Sequence, residues 1–444
     1  MDLVVGFDLD LTLVDSRPSV IAVAAMLSEE YGVAIDGEAW AGRLGPPLED
    51  EVARWVAPQL VEQVCERYRE LMREHGVALS VALPGAAEAV AAVRRAGRAV
   101  VVTAKQEALA RQTLEHLGIE VDEVHGWLWA EGKGTRLREV GAAVYVGDHP
   151  GDVVAARTAG AVSVGVRTGG SEPVGADVLL DDLTAFPAWL VDAELRQLGS
   201  VLVAFSGGAD SAFLLAAAVR ALGADNVVAA TAVSPSLAQD ELPAAQAFAA
   251  SLGVRHLTPT TDELARAGYA ANGPDRCFHC KATLVDTLRP LAGDLGLEHV
   301  VTGTNADDLV ARFRPGIRAA ADRGAVTPLR WMTKEQVRDA SRALGLVTAD
   351  KPALACLASR IAYGLEVTPQ RLSRVDRAET ALRAHLAPRD VRVRVIEDDR
   401  ARVELDAEAL GRWDDAALLL VQAEGFGAVT VQEFRSGSLN DLLV

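Results

Sequence analysis

The sequence predicts two successive α/β domains with doubly wound, mainly parallel sheets, followed by a small α+β segment. Apolar runs that are typical of buried strands, such as residues 3–7 and 201–205, alternate with longer helical stretches. Polar or glycine-rich residues follow these strands directly, at the edge where parallel sheets bind their ligands. At 444 residues the chain is too long for one hydrophobic core, so roughly two or three domains are expected.

The composition limits the classes of protein to which this chain can belong. Half of the residues are hydrophobic and 24% are charged, which indicates a globular chain. The net charge of −18 argues against a nucleic-acid partner. Because no long apolar stretch or basic leader is evident, we expect a cytoplasmic protein without a membrane partner. The sparse cysteines favour metal, cluster or nucleophile chemistry over disulfides: Cys65, Cys277, Cys280 and Cys356.

Acidic residues and one lysine follow the strands of residues 1–185. The first strand ends in the motif DLDLT, the next in Thr103, and a third in Gly147-Asp148, with Lys133 in the intervening EGKG. Four motifs in this order resemble the haloacid dehalogenase (HAD) superfamily of phosphatases. The resemblance implies that Asp8 is the nucleophile that forms an aspartyl-phosphate and that Asp10 is the general acid/base. It implies that Thr103 holds the phosphoryl oxygens and that Lys133 steadies negative charge.

The same resemblance implies a magnesium site with hard oxygen ligands. Asp8, Asp10 and Asp148 would hold the ion, supported by Asp152. Residues 16–80 are similar to the helical cap of phosphoglycolate-phosphatase-like members, which select small phosphomonoesters. Leu11 departs from the family pattern, in which glycine often follows the second aspartate. The alternative is a degenerate regulatory domain that kept the fold.

A second ligand loop opens the domain that we assign to residues 199–365, after a linker at 186–198. In VLVAFSGGADS a buried strand runs through two glycines into a helix N-terminus, an arrangement that binds anions. No Gly-Lys-Ser/Thr follows, and no lysine is expected to reach a terminal phosphate, unlike a kinase P-loop. The motif resembles the PP-loop of ATP pyrophosphatases. That resemblance implies ATP contacts from a set of loop residues: Ser206, Gly207, Gly208, Asp210 and Ser211.

Three cysteines accompany this loop. Cys277 and Cys280 form a CxxC, which is half of a metal or cluster site, and Cys356 is the third. The segments SGGADS, RCFHCK, GTNADD, CLASRI and FRSGSLN together resemble the LarE family over residues 200–440. LarE proteins are ATP-dependent sulfur transferases of nickel-pincer cofactor synthesis. The resemblance implies adenylation of a carboxylate of a pyridinium dicarboxylate mononucleotide, release of pyrophosphate, and replacement of AMP by sulfur.

Three roles are compatible with these cysteines. The interpretation that we favour is a [4Fe–4S] cluster on Cys277, Cys280 and Cys356, with one iron left open. The others are a sacrificial Cys356 that gives up its own sulfur, and a zinc site completed by His279.

Further contacts follow from the LarE resemblance. It implies that Asp210 lies near magnesium pyrophosphate and that Asp308 is a second metal or nucleotide contact. Substrate anions would meet Arg360, and also Arg392 and Arg394 in the α+β segment at 366–444. The resemblance also implies a homo-oligomer. Alternative functions are a cluster-containing PP-loop tRNA thiolase and a non-catalytic nucleotide sensor.

Overall fold

The computed structural model describes residues 3–311, 314–352 and 355–435. The chain forms two compact units, which are called here the N-terminal unit, Met1–Leu190, and the C-terminal unit, Val191–Val444. Among the described residues, every helix is too short or too polar to cross a membrane.

The N-terminal unit is built on a six-stranded sheet in which every neighbouring pair is parallel. The strand order is β5-β4-β1-β6-β7-β8, so that β1 lies at the centre. The strands are β1 Leu3–Phe7, β4 Gly97–Val102, β5 Glu123–His125, β6 Val144–Gly147, β7 Val162–Val166 and β8 Val178–Leu180, and a separate antiparallel pair joins β2 Val14–Asp15 to β3 Val81–Ala82. The predicted parallel α/β fold is confirmed.

Helices cover this sheet and form a cap between β2 and β3. The cap has its own core, in which Trp40 and Leu27 are buried with Met72. Its helices are α1 Arg17–Tyr31, α2 Gly37–Ala41, α3 Leu48–Val52 and α4 Val61–Leu71, and the helices that follow are α5 Ala86–Arg94, α6 Glu107–His116, α7 Glu131–Glu139, α8 Pro150–Ala159 and α9 Phe186–Leu198. The residues that the sequence analysis assigns to a linker thus form helix α9, in which the boundary between the units falls.

The C-terminal unit begins with a four-stranded parallel sheet of order β11-β10-β9-β12. Its strands are β9 Val201–Ala204, β10 Val227–Ala230, β11 Arg255–Leu257 and β12 His299–Thr302. The accompanying helices are α10 Ala209–Leu222, α11 Glu241–Ser251, α12 Ala267–Ala270, α13 Arg276–Asp294, α14 Ala306–Val310, α15 Pro315–Ala321 and α16 Lys334–Ala343. Strand β9 lies between β10 and β12, so the loop after β9 opens at a topological switch point.

A three-stranded sheet of order β13-β14-β15 completes the unit. Its elements are α17 Pro369–Leu386, β13 Val391–Glu397, β14 Arg400–Leu405, α18 Ala407–Leu410, α19 Asp415–Gln422 and β15 Ala428–Glu433. Strands β13 and β14 form an antiparallel hairpin, and β15 adds parallel to β14. Helix α17 packs on this sheet, and Leu357 and Ile361 from the segment after Cys356 join the same core.

Candidate functional site

Three adjacent strands of the N-terminal unit deliver their polar residues to one edge. Asp8 follows β1, Thr103 follows β4 and Asp148 follows β6, and the three strands are neighbours in the order β4-β1-β6. The backbone N–H of Asp8 donates to Val146 O at 2.8 Å, which holds the first aspartate beside β6. All three side chains are buried. Tertiary structure therefore brings motifs that are up to 140 residues apart in the sequence to a single site.

Lys133 reaches this edge from α7 and is only 1% exposed. Its Nζ lies 2.9 Å from Asp8 Oδ1 and 2.7 Å from Asp152 Oδ1. The hydroxyl of Tyr145 donates to Val102 O at 2.8 Å and lies 3.3 Å from Asp152 Oδ1, so Asp152 is held from a second side. The lysine bridges the two carboxylates in a buried site, where charge pairs interact strongly.

The carboxylates of Asp8, Asp148 and Asp152 offer oxygens that all lie within 4.8 Å of one another. One lysine cannot neutralise three buried carboxylates. Burial raises the pKa of Asp8 to about 6, against the lowering effect of Lys133 and with a further rise from Asp152. Burial, followed by the charges of Asp152 and Asp8, raises the pKa of Asp148 well above its ordinary value. The excess negative charge and the hard oxygen donors fit a divalent cation such as Mg²⁺.

Asp10 and Thr12 take separate positions from this triad. Asp10 accepts from Lys105 Nζ at 2.6 Å and keeps a side chain that is 20% exposed. The Thr12 hydroxyl donates to Asp148 Oδ1 at 3.0 Å and orients that carboxylate. The sequence analysis groups Asp10 with the metal ligands, whereas its side-chain oxygen is paired with Lys105 in the structure. Lys105 is a site residue to which sequence reasoning gave no role.

Leu11 adopts the left-handed conformation, with φ of 59°, between these two residues. A non-glycine residue pays roughly 1–2 kcal/mol for this backbone, which explains why relatives of the HAD superfamily often have glycine there. The Leu11 side chain is 1% exposed, and burying a leucine contributes about 1.5–3 kcal/mol. Burial therefore offsets the backbone strain.

The glycine-rich loop after β9 forms a compact turn at the N-terminus of α10. Gly207 has a φ of +70°, which a side chain would strain. The Ser206 and Ser211 hydroxyls lie 3.1 Å apart, and Ser211 Oγ donates to Gly208 O at 3.1 Å. Gly303, after β12, packs so closely that a Cβ there would meet the backbone N of Ser211 at 3.0 Å. The GTNADD segment thus lies directly against the loop.

Asp210 has a buried carboxylate oxygen, Oδ1, without a hydrogen-bond partner among the described residues. Burial raises the pKa of Asp210, while the charge of Lys334 and a hydrogen bond from Asn305 lower it, and Asp308 raises it further. Asp308 caps α14 together with Asn305 and lies 3.2 Å from the guanidinium of Arg314. An unpartnered buried carboxylate oxygen fits a site for a hydrated divalent cation.

Lys351 is a residue of this loop that sequence reasoning missed. Its Nζ donates to Gly207 O at 3.0 Å and lies 3.2 Å from Glu241 Oε2. A lysine therefore contacts the glycine-rich loop, while the expectation that no lysine reaches a terminal phosphate stays a prediction. The sequence lacks a local signal for this contact because 144 residues separate the two positions.

Buried hydrogen bonds of Asn272 and Arg276 join the two cysteine-bearing segments. The Arg276 guanidinium donates to Asn272 Oδ1 at 2.5 Å and to Ala358 O at 2.8 Å. Asn272 Nδ2 in turn donates to Ala362 O at 2.8 Å and to Leu365 O at 2.9 Å. Arg276 begins helix α13, which carries the CxxC, and Ala358 lies two residues after Cys356. These hydrogen bonds thus hold the Cys356 segment against the start of α13.

The three thiols belong to one electrostatic neighbourhood. Burial raises the pKa of Cys280 well above its ordinary value, and the negative charges of Cys356 and Cys277 raise it further. Burial lowers the pKa of Lys281, and the charges of Cys280 and Asp308 oppose this effect. Lys351, five residues before Cys356, reaches the carbonyl oxygen of Gly207 in the glycine-rich loop.

The spacing of the thiols bears on which metal they fit. Four-coordinate zinc has Zn–S bonds of about 2.3 Å, so its ligand atoms lie within about 4.6 Å of one another. In the part of the chain that the structure describes, no group of three ligands that includes these cysteines lies within 4.8 Å. His279 lies 3.1 Å from Asp275 Oδ2 instead.

The three arginines assigned to substrate are all buried. Arg360 pairs with both oxygens of Glu379, at 2.9 and 3.1 Å, and donates to Cys356 O at 3.1 Å. Arg394 pairs with Glu404 Oε2 at 2.8 Å. Burial lowers the pKa of Arg392 to about 10, and the positive charge of Arg360 adds to this effect. The guanidinium of Arg360 is thus paired with Glu379 and also holds the cysteine segment through Cys356 O, and its contact with substrate stays a prediction.

Part of one sequence motif cannot be placed. In FRSGSLN, residues 436–440 lie outside the described residues. Arg392 lies 5.4 Å from the ring centroid of Phe434, the first residue of that motif.

Comparisons with known proteins divide along the same lines as the two units. Residues 5–157 match the family of haloacid dehalogenase-like hydrolases. A phosphoglycolate phosphatase of Cupriavidus necator is 36% identical over 216 residues, which cover 42% of this chain and 93% of the relative.

The C-terminal region is similar to a second group of proteins. The pyridinium-3,5-bisthiocarboxylic acid mononucleotide synthase of Lactiplantibacillus plantarum is 34% identical over 258 residues, or 56% of this chain and 92% of the relative. The uncharacterized protein slr1717 of Synechocystis is 44% identical over 256 residues, or 56% of this chain and 94% of the relative.

Proposed function

Because this enzyme belongs to the haloacid dehalogenase-like hydrolases in its N-terminal part and to the LarE family in its C-terminal part, we propose that it carries two activities. The N-terminal unit is a magnesium-dependent phosphatase of small phosphomonoesters. The C-terminal unit is an ATP-dependent sulfur transferase that converts a carboxylate of a pyridinium dicarboxylate mononucleotide into a thiocarboxylate.

The bridge from Lys133 to Asp8 and Asp152 supports the phosphatase. An oxygen of Asp8 attacks phosphorus, and the leaving oxygen takes a proton from Asp10. Water then attacks the phosphorus of the aspartyl-phosphate, and Asp10 takes a proton from that water. The bond from phosphorus to the Asp8 oxygen breaks and phosphate leaves. Thr103 donates to the phosphoryl oxygens. Mg²⁺, held by Asp8 and Asp148, would offset the charge of the phosphate.

The phosphatase is tested with acetyl phosphate, because this substrate needs no recognition of a leaving group. We expect magnesium-dependent hydrolysis by the full-length protein and a loss of at least a hundredfold in Asp8→Asn. The matched control is Asp181→Asn, whose carboxylate is exposed on the same unit. Equal rates in the parent and Asp8→Asn would overturn the assignment.

Two contacts support the sulfur transferase: Lys351, five residues before Cys356, reaches Gly207 of the glycine-rich loop, and Arg276 ties the Cys356 segment to the start of the CxxC helix. A substrate carboxylate oxygen attacks the α-phosphorus of ATP, and pyrophosphate leaves. The loop amides and Ser211 bind the phosphates, while Asp210 offers an oxygen to a magnesium ion. A sulfur nucleophile then attacks the acyl carbon and AMP leaves. A [4Fe–4S] cluster on Cys277, Cys280 and Cys356 would supply that sulfur renewably.

Iron and acid-labile sulfide content after anaerobic purification tests the sulfur source. About four of each per chain, lost in Cys277→Ala, is the expected result for a three-thiolate [4Fe–4S] site. Absence of iron, with Cys356 losing the mass of sulfur after reaction with ATP and the mononucleotide, would instead establish a sacrificial cysteine. Pyrophosphate release that depends on the mononucleotide tests the adenylation step separately.

A further inference from the structure

The phosphatase cavity has walls that are unusual for a very small substrate. It lies between the carboxyl ends of the strands and the cap, and its floor includes Asp8 and Thr103. Its volume of about 180 Å³ is enough for on the order of a dozen water molecules. A leaving group of two carbons would leave most of that space filled with water.

Four aromatic side chains line the cavity. Trp40 and Tyr68 of the cap stack with their ring centroids 5.1 Å apart and their planes at 18°. Trp127 and Trp129 add two further rings from the loop after β5. Flat apolar walls of this kind suit planar rings, which pack on them by stacking.

Trp127 lies at the cavity with a strained backbone and an exposed aromatic side chain. Its φ of 61° lies in the left-handed region, and the residue is 55% exposed. The Arg69 guanidinium covers one face, 4.5 Å from the ring centroid, and the backbone N–H donates to Lys105 O at 3.0 Å. Strained backbone and an exposed aromatic ring beside a catalytic cavity together indicate a ligand contact, since neither helps folding.

The charges at the cavity are already paired. Arg43 lies 2.5 Å from Glu51, and Arg69 forms an ion pair with Glu49. These glutamates also line the cavity and would repel a carboxylate. The cap therefore offers little attraction to a second anionic group on the substrate, such as the carboxylate of an acid phosphate.

We propose that the N-terminal unit hydrolyses nucleoside 5′-monophosphates, with the phosphate at Asp8 and an uncharged base stacked on the aromatic walls. The inference rests on the proposed function, because the sulfur-transfer reaction of the C-terminal unit releases AMP. An Asp8 oxygen bonds to phosphorus as the bond from phosphorus to O5′ breaks, and O5′ takes the proton of Asp10. Water then cleaves the aspartyl-phosphate, so that the products are nucleoside and inorganic phosphate. Removal of AMP draws the sulfur transfer forward.

The test compares AMP, 2-phosphoglycolate and acetyl phosphate as substrates of the full-length protein with Mg²⁺. We expect kcat/KM for AMP to exceed that for 2-phosphoglycolate at least tenfold. In Trp127→Gly, which tolerates the positive φ, we expect the ratio of kcat/KM for AMP to that for acetyl phosphate to fall about tenfold, as the loss of one stacking contact predicts. Val174→Ala, at an exposed position of the same unit, should leave the ratio unchanged.

The outcomes separate this inference from the phosphatase assignment itself. If acetyl phosphate is hydrolysed in an Asp8-dependent way but AMP is no better than 2-phosphoglycolate, the inference fails and the phosphatase stands. If a pyridinium dicarboxylate mononucleotide is preferred to AMP, the part concerning an uncharged base fails. If none of the substrates is hydrolysed, the proposed phosphatase fails as well.

Discussion

Asp148→Asn is expected to stabilise the metal-free protein while it abolishes phosphatase activity. In the absence of a cation, Asp148 adds a third carboxylate to a buried site that holds one lysine. Asparagine has the same shape, and its carbonyl oxygen can still accept from Thr12. The substitution therefore removes a disfavoured charge without creating a cavity.

The raised pKa of the neighbouring Asp8 indicates how strongly this site disfavours a charged carboxylate. The rise in the pKa of Asp8 from 3.8 to about 6 corresponds to about 3 kcal/mol of disfavoured ionisation. Asp148 is similarly buried and is repelled by both other carboxylates, so its replacement should raise the free energy of unfolding at pH 7. For a unit of this size each 1 kcal/mol gained raises Tm by roughly 2–4 °C. A carboxylate whose pKa is raised in the folded state costs stability progressively as pH rises from its unfolded pKa, about 4, toward its folded pKa, so the gain should vanish toward pH 4.

Calorimetry of the chelated full-length protein, with and without added Mg²⁺, measures this prediction. The parent should gain stability with Mg²⁺, and Asp148→Asn should respond little, because binding to the folded state alone shifts Tm. Asp181→Asn, which removes the same charge from an exposed position, should change stability by less than about 0.5 kcal/mol. If metal-free Asp148→Asn melts below the parent at pH 7, the reasoning about excess buried charge is refuted.

Three other substitutions test contacts that the structure assigns. Arg276→Met should lower the iron bound per chain at least twofold, because methionine has no N–H to donate to Asn272 or Ala358. Arg289→Met, at an exposed position of the same helix, should bind iron normally. Lys351→Met should raise KM for ATP about tenfold in a pyrophosphate-release assay. An unchanged KM would mean that Lys351 only ties down Gly207. Leu11→Gly should lower the free energy of unfolding in urea by about 1 kcal/mol, because lost burial outweighs the relief of strain; a gain would show that strain dominates.

The predicted parallel sheets were confirmed because the signals for them are local. An apolar run such as residues 3–7 or 201–204 is typical of a strand that is buried on both faces of a parallel sheet. The motif that follows such a run lies at the carboxyl end of the strand. The relations among Asp8, Asp148 and Lys133 were accessible for the same reason, since each motif follows or approaches a strand of one sheet. The LarE-like segments were recognisable from short runs of sequence alone.

Pairing across long stretches of chain was decided only by the tertiary structure. Lys351 reaches Gly207, and Arg276 joins Ala358, over separations of 144 and 82 residues, for which the sequence pattern holds no signal. Arg360 was expected at the substrate because it follows the cysteine in the segment that resembles LarE, and only the tertiary structure shows that buried Glu379 pairs with it. The aromatic walls of the phosphatase cavity likewise come from separate loops and helices. The sequence by itself determined where catalytic groups end their strands, and the tertiary structure decided which charges remain uncompensated and what the cavity can hold.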